Sequence, residues 1–254
     1  MPCLAPLLCT PLLKIPLLVG NAALTHHGLT PPGSLPTTAK EWRRGDTTRD
    51  FMSKAGGTHG IVKACSATTK YVVTGLALAE VSVILAQCFP SAYSSRILTF
   101  LLPSDGTSEP SMELTPTSAI GSLLGIAGGL IRLSCHRALG RLFTWEMSVR
   151  DDHELITSGP YLVVRHPSYT GLALIACGNI MLLSSKGSYF VEAGLWNTVA
   201  GKALACSLSA YLTLITLSLF ARAPEEDVML RKEFGAQWDQ WAKRTPWRVI
   251  PFIY

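Results

Sequence analysis

Long apolar runs alternate with short polar ones along this chain, and several of the runs reach the length of a membrane span. Residues 1–24 are apolar but broken by Lys14 and by Pro2, Pro6, Pro11 and Pro16. They predict a kinked first helix, because the run exceeds the about 7–15 residues of a signal-peptide core and no basic stretch precedes it. A second run is apolar from Tyr71 to Phe89, with Glu80 inside it; an ionisable group in a span faces protein or water rather than lipid. The third run extends from Thr117 to Leu139, the fourth from Leu172 to Ser184 and the fifth from Leu195 to Phe220. Lys186 and Gly187 turn the chain between the last two, which predicts a helical hairpin. Gly121, Gly125 and Gly129 share one face of the third helix, the spacing of close helix packing. The pattern predicts an all-α polytopic membrane helical bundle of about five transmembrane helices.

The polar runs differ from one another. Residues 25–59 are rich in Thr, Pro, Gly and charge without periodicity, which predicts a loop. Residues 90–116 read as a Pro/Ser-rich connection with one basic residue, Arg96. Basic residues concentrate in 25–70, in 137–169 and in the tail from Arg222, whereas the other connections hold Arg96 and Lys186. With five spans, rich and poor segments alternate sides, so the loop, the 137–169 connection and the tail are expected on the cytosolic face.

Composition narrows the classes. Of the 254 residues, 48% are hydrophobic and 15% charged, against about 25% charged in soluble chains. The net charge is +5, with no basic run interleaved with aromatics, so a nucleic-acid partner is not expected. The 7 cysteines show no CxxC pair and the 6 histidines are scattered, which argues against a disulfide framework and against a metal site.

The densest chemistry lies in a polar island, 152–171, where Ser158-Gly159-Pro160 precedes the β-prone Tyr161–Val164 and then Arg165-His166-Pro167-Ser168-Tyr169. Pro160 and Pro167 each remove a backbone donor and disfavour helix in the residue before. Turned backbone this close to a membrane either lines a polar cavity in protein or is a solvated loop. In the tail, Pro224 suits a first helical turn, with Glu225, Glu226 and Asp227 where the helix dipole favours negative charge. Val228, Leu230, Phe234, Trp238 and Trp241 give that segment an amphipathic face. Arg222 and Glu226, four apart, form an intrahelical ion pair or face separate anionic and cationic ligands; the spacing fits both.

Taken together, island and tail resemble the isoprenylcysteine carboxyl methyltransferase family. The resemblance is carried by Asp152-His153 with Leu155, Ser158-Gly159-x-Tyr161, Arg165-His166-Pro167-Ser168-Tyr169-x-Gly171, Arg222, Glu225-Glu226, Phe234-Gly235 and Ile250-Pro251-Phe252-Ile253. It covers roughly residues 117–254, while 1–116 shows no match, which divides the chain into N-terminal spans (1–116) and a methyltransferase core (117–254). Looser versions of the pattern occur in phospholipid methyltransferases and in the C-terminal part of sterol reductases.

The resemblance implies a multi-pass enzyme of the endoplasmic reticulum membrane that uses S-adenosylmethionine and no metal. The enzyme methylates the C-terminal carboxylate of a prenylated cysteine on proteins or peptides. It implies a cytosolic pocket built from the 146–171 connection and the C-terminal helix. By position, the cofactor contacts are His153, Glu154, Leu155, Ile156, Tyr161, His166, Pro167, Ser168, Tyr169 and Glu226, with Glu146 as a further one. Arg222 is implied as the catalytic, substrate-side residue, holding the acceptor carboxylate, with His166 and backbone donors taking the carboxylate of the cofactor's methionine part. Two alternatives stay open: methylation of a phospholipid or other lipid, and a non-catalytic membrane scaffold.

Overall fold

The computed structural model describes residues 11–30, 58–102, 110–143 and 154–254. Among these residues the chain is helical, without a strand. The helices that carry the architecture are α1 (Lys14–Gly28), α2 (Thr58–Cys88), α3 (Ala92–Leu101), α4 (Pro116–Leu139), α5 (Pro167–Ser184), α6 (Val199–Phe234) and α7 (Ala236–Arg244). Among the described residues, four stretches are long and apolar enough to cross a membrane: Gly60–Cys88, Pro116–Leu139, Pro167–Glu192 and Val199–Phe234. The protein is an all-α, multi-pass membrane protein. Of the roughly five spans predicted, the first, 1–24, lies partly outside the described residues, which there hold α1 with 15 residues.

Three local expectations change. The 90–116 connection contains helix α3, started by Ser91, whose hydroxyl accepts the Ser94 N–H; side-chain capping of this kind satisfies an end donor that the sequence pattern alone did not flag. Pro224 does not begin a helix but lies inside α6. The ring removes one backbone donor, yet the helix continues with Ala223 and Asp227 buried on either side. The β-prone Tyr161–Val164 run forms no strand: Gly159–Leu162 is a 3-10 turn. Among the described residues, Cys88, Cys135, Cys177 and Cys206 are free thiols.

The chain divides into two compact units, 1–26, 68–127 and 174–212 in one, 27–67, 128–173 and 213–254 in the other. In the first, Leu18, Ala22, Val73, Ala77, Val83, Ile84 and Met112 form one apolar cluster. Ala176 and Leu183 of α5 pack with Ala205, Leu208 and Leu212 of α6 in another, the predicted hairpin. Apolar side chains that point outward, such as Leu78 and Leu85 of α2, Ile120 and Leu123 of α4 and Leu214 and Leu217 of α6, suit a lipid surround.

The partner of Glu80 is Lys14. The two ends meet at 2.5 Å with both side chains buried. Lys14 Nζ also donates to the carbonyls of Glu113 at 3.2 Å and Gly187 at 2.8 Å, while Glu80 accepts the Tyr189 N–H at 2.9 Å. Pairing of this kind offsets the cost of burying two charged side chains in an apolar surround.

Small residues let α4 and α5 approach. A Cβ on Gly178 would lie 2.4 Å from the Gly121 carbonyl oxygen and 2.7 Å from the Gly125 nitrogen, and one on Gly125 would collide with Asn21. Two members of the predicted glycine stripe thus sit against backbone and a buried amide. Gly178→Ala is expected to lower stability by about 1–3 kcal/mol through overpacking. Gly75→Ala, with nothing within 4 Å of its added methyl, should be neutral or stabilising by up to about 1 kcal/mol. Thermal unfolding in detergent compares the two; equal melting temperatures would contradict the close approach.

Candidate functional site

The second unit contains the polar island and the tail. Gly159 takes a positive φ of 63° and opens the 3-10 turn, a conformation that costs glycine little. The turn buries Tyr161 while Leu162 and Val163 stay exposed. Tyr161, Cys135, Trp238 and Trp241 form an apolar cluster against which Leu155, Ile156, Leu230 and Phe234 pack. The Trp241 indole donates to the Tyr161 carbonyl at 3.2 Å. Burial, then the nearby Cys135 and Glu226, push the Tyr161 phenol well above its ordinary range, so at neutral pH it keeps its proton.

Past the turn the chain docks on the last ten residues. The N–H groups of Arg165 and His166 donate to the carbonyls of Trp247 at 2.9 Å and Arg248 at 2.7 Å. Arg165 Nη2 reaches the Pro246 carbonyl at 2.9 Å and the Thr170 hydroxyl the Val249 carbonyl at 2.5 Å. Helix α5 then starts at Pro167, a position where a missing N–H costs nothing.

Two neighbouring carboxylates of α6 divide the polar contacts. Asp227 Oδ2 accepts from Arg165 Nη1 at 2.7 Å and Arg248 Nε at 2.9 Å, and its Oδ1 lies 3.0 Å from His166 Nε2. Glu226 accepts the Tyr169 hydroxyl. Its Oε2 is 3.8 Å from His166 Nδ1 and 3.9 Å from Arg222 Nε. The Glu226 side chain is 25% exposed, against 9% for Arg222. The His166 and Tyr169 rings stack at 5.3 Å with 13° between planes. Hydrogen bonding to Asp227 raises the Arg248 guanidinium above its usual value, whereas burial lowers that of Arg165 against the pull of the same carboxylate.

A buried arginine braces the start of α5. Arg132 donates through Nη1 to the Ser168 carbonyl at 3.1 Å and hydroxyl at 2.9 Å, and through Nε to the Gly28 carbonyl. Gly171 leaves it room: a Cβ there would lie 2.7 Å from Arg132 Cγ and 2.8 Å from the Gly128 carbonyl oxygen.

Of the residues singled out in the sequence, Tyr161, His166, Pro167, Ser168, Tyr169, Arg222 and Glu226 all lie in this unit. His166, Tyr169 and Arg222 come within 4 Å of the Glu226 carboxylate or bond to it. Leu155 and Ile156 pack on the Tyr161 cluster, whereas Glu154 is exposed. His153 and Glu146 lie outside the described residues. Sequence reasoning missed Asp227, read only as a dipole residue, and Arg132 and Arg248. One signal was available: Arg132 is a cation inside an apolar span, the feature that drew attention to Glu80.

A carboxylate, an imidazole, a phenol and a guanidinium converging beside an aromatic wall suit a small zwitterion and an anionic acceptor. Residues 121–195 match the family described as "Isoprenylcysteine carboxyl methyltransferase (ICMT) family". Among curated relatives, the chain is 31% identical over 139 residues to the "Probable protein-S-isoprenylcysteine O-methyltransferase" of Oryza sativa subsp. indica, covering 54% of this chain and 62% of the relative. It is 30% identical over 138 residues to "Protein-S-isoprenylcysteine O-methyltransferase B" of Arabidopsis thaliana, covering 54% and 60%. Against the "Protein-S-isoprenylcysteine O-methyltransferase" of Schizosaccharomyces pombe it is 32% identical over 139 residues, covering 54% and 50%. The chain thus spans from half to just over three-fifths of the length of these relatives. No solved structure matches it.

Proposed function

We propose that this protein is a methyltransferase that uses S-adenosylmethionine to esterify the C-terminal carboxylate of prenylated cysteine. The observation that carries the reading is the convergence of His166, Tyr169 and Arg222 on the Glu226 carboxylate, in a chain whose residues 121–195 match a carboxyl methyltransferase family. The relatives' names, which specify the isoprenylcysteine substrate, support the choice of acceptor. The site lies in the endoplasmic reticulum membrane, open to the cytosol, in keeping with the basic residues of the island and tail.

S-adenosylmethionine, when bound, supplies a methyl group activated on a cationic sulfur. The residues present fit it. Glu226 remains partly exposed while bonded by Tyr169, so it can meet a cationic group of the ligand. Leu155, Ile156 and Tyr161 offer an apolar surface to a flat base. Ser168, fixed by Arg132, keeps the start of α5 in one geometry.

The acceptor needs little activation. A carboxylate is ionised near neutral pH and already nucleophilic, so positioning dominates over base catalysis. Arg222, at 9% exposure and one turn before Glu226, can bind the acceptor carboxylate with its planar fork. The ion pair to Glu226, 3.9 Å long, is loose enough for a second anion to share the guanidinium. The prenyl chain would lie among the lipid-facing helices.

The test is incubation of membranes holding the protein with labelled S-adenosylmethionine and either a farnesylated cysteine analogue or phosphatidylethanolamine. Base-labile label on the prenylcysteine is expected. Label on the amine lipid alone, or on neither, would overturn the reading.

A further inference from the structure

We infer that Asp227 is a positioning residue of this site: it keeps the proton of His166 on Nε2 and so presents Nδ1, as an acceptor, beside Glu226. The functional consequence rests on the proposed reaction, while the place of the proton rests on the hydrogen bonds alone. Asp227 is clasped by Arg165 at 2.7 Å and Arg248 at 2.9 Å. A carboxylate held by two guanidinium groups acts as an acceptor only. In its third contact, 3.0 Å to His166 Nε2, the proton therefore belongs to the imidazole. The ring is held in this orientation by its stack on Tyr169 and by the backbone bond from His166 to the Arg248 carbonyl.

With Nε2 committed, Nδ1 faces Glu226 Oε2 at 3.8 Å, too far for a direct hydrogen bond. An imidazole nitrogen and a carboxylate oxygen side by side are two acceptors that call for a donor between them. The chemical class that fits is a primary ammonium, which the methionine part of S-adenosylmethionine carries. This reverses the expectation that His166 takes the cofactor's carboxylate. It also gives Glu226 and Asp227, adjacent in sequence, different tasks: one meets the ligand, the other sets the histidine that meets it.

The experiment uses the full chain in lipid nanodiscs with 15N-labelled histidine, the His166 signals being assigned by their loss in His166→Gln. The expected result is a proton on Nε2 and none on Nδ1 in the ligand-free protein. In Asp227→Asn the amide can donate, so the proton should move to Nδ1. S-adenosylmethionine affinity should then fall by about 10–100-fold, the scale seen when a metal-binding histidine loses the partner that orients it. Asp227→Glu should restore much of it; an anchor that only held the C-terminal residues would leave the tautomer unchanged in the asparagine variant. A wild-type protein with the proton on Nδ1 overturns the inference, as does a folded Asp227→Asn with unchanged affinity. If Asp227→Asn does not fold, the wild-type tautomer decides. A wild-type chain with the proton on Nε2 that binds no S-adenosylmethionine overturns the proposed function and the ammonium assignment together, and leaves the tautomer standing.

Discussion

Lys14→Met is expected to destabilise the first unit by about 3–5 kcal/mol, the scale for removing one partner of a buried ion pair. The substitution leaves the Glu80 carboxylate, 2.5 Å from its only cation among the described contacts, without compensation in an apolar surround. It also removes the donor to the carbonyls of Glu113 and Gly187. Lys14→Met combined with Glu80→Gln should recover most of the loss. The glutamine carries no charge to bury and still accepts the Tyr189 N–H, which Glu80 now holds at 2.9 Å. Thermal unfolding in detergent of the two singles and the double measures the coupling. A Lys14→Met protein within about 1 kcal/mol of wild type would mean that the pair is solvated, as surface pairs are.

Arg222→Lys should lower turnover with a prenylcysteine substrate by about 10–100-fold while S-adenosylmethionine affinity stays within about twofold. The charge survives, but the planar two-donor fork that would hold one carboxylate and orient one oxygen does not; loss of a transition-state hydrogen bond is worth about this much or more. Glu226→Gln should do the reverse, raising the dissociation constant for the methyl donor most. The Tyr169 bond and the contacts to His166 and Arg222 all end on this carboxylate. Steady-state kinetics with calorimetric binding separates the two. If Arg222→Lys abolishes cofactor binding in a folded protein, Arg222 belongs to the cofactor pocket. If neither quantity changes, its role is the intrahelical ion pair.

The helices that a membrane requires were legible in the pattern of apolar residues alone. Period and length placed α2, α4, α5 and α6, because in a bilayer a long apolar run has few alternatives to helix. Proline and glycine punctuation marked the island, and the resemblance selected His166, Tyr169, Arg222 and Glu226 before their geometry was known. Which polar groups meet depends on how distant segments pack. Glu80 finds Lys14, far away in the chain. Asp227, not the better-marked Glu226, gathers Arg165, His166 and Arg248. Arg132 turns up beneath Ser168. The β-prone Tyr161–Val164 run becomes a 3-10 turn, because burial of Tyr161 against Trp238 and Trp241 outweighs a strand preference of at most about 1 kcal/mol. Local sequence fixes backbone preference through nearby sterics and periodic burial. The partner of a buried charge is set by what other segments bring within about 4 Å, and no local pattern encodes that distance.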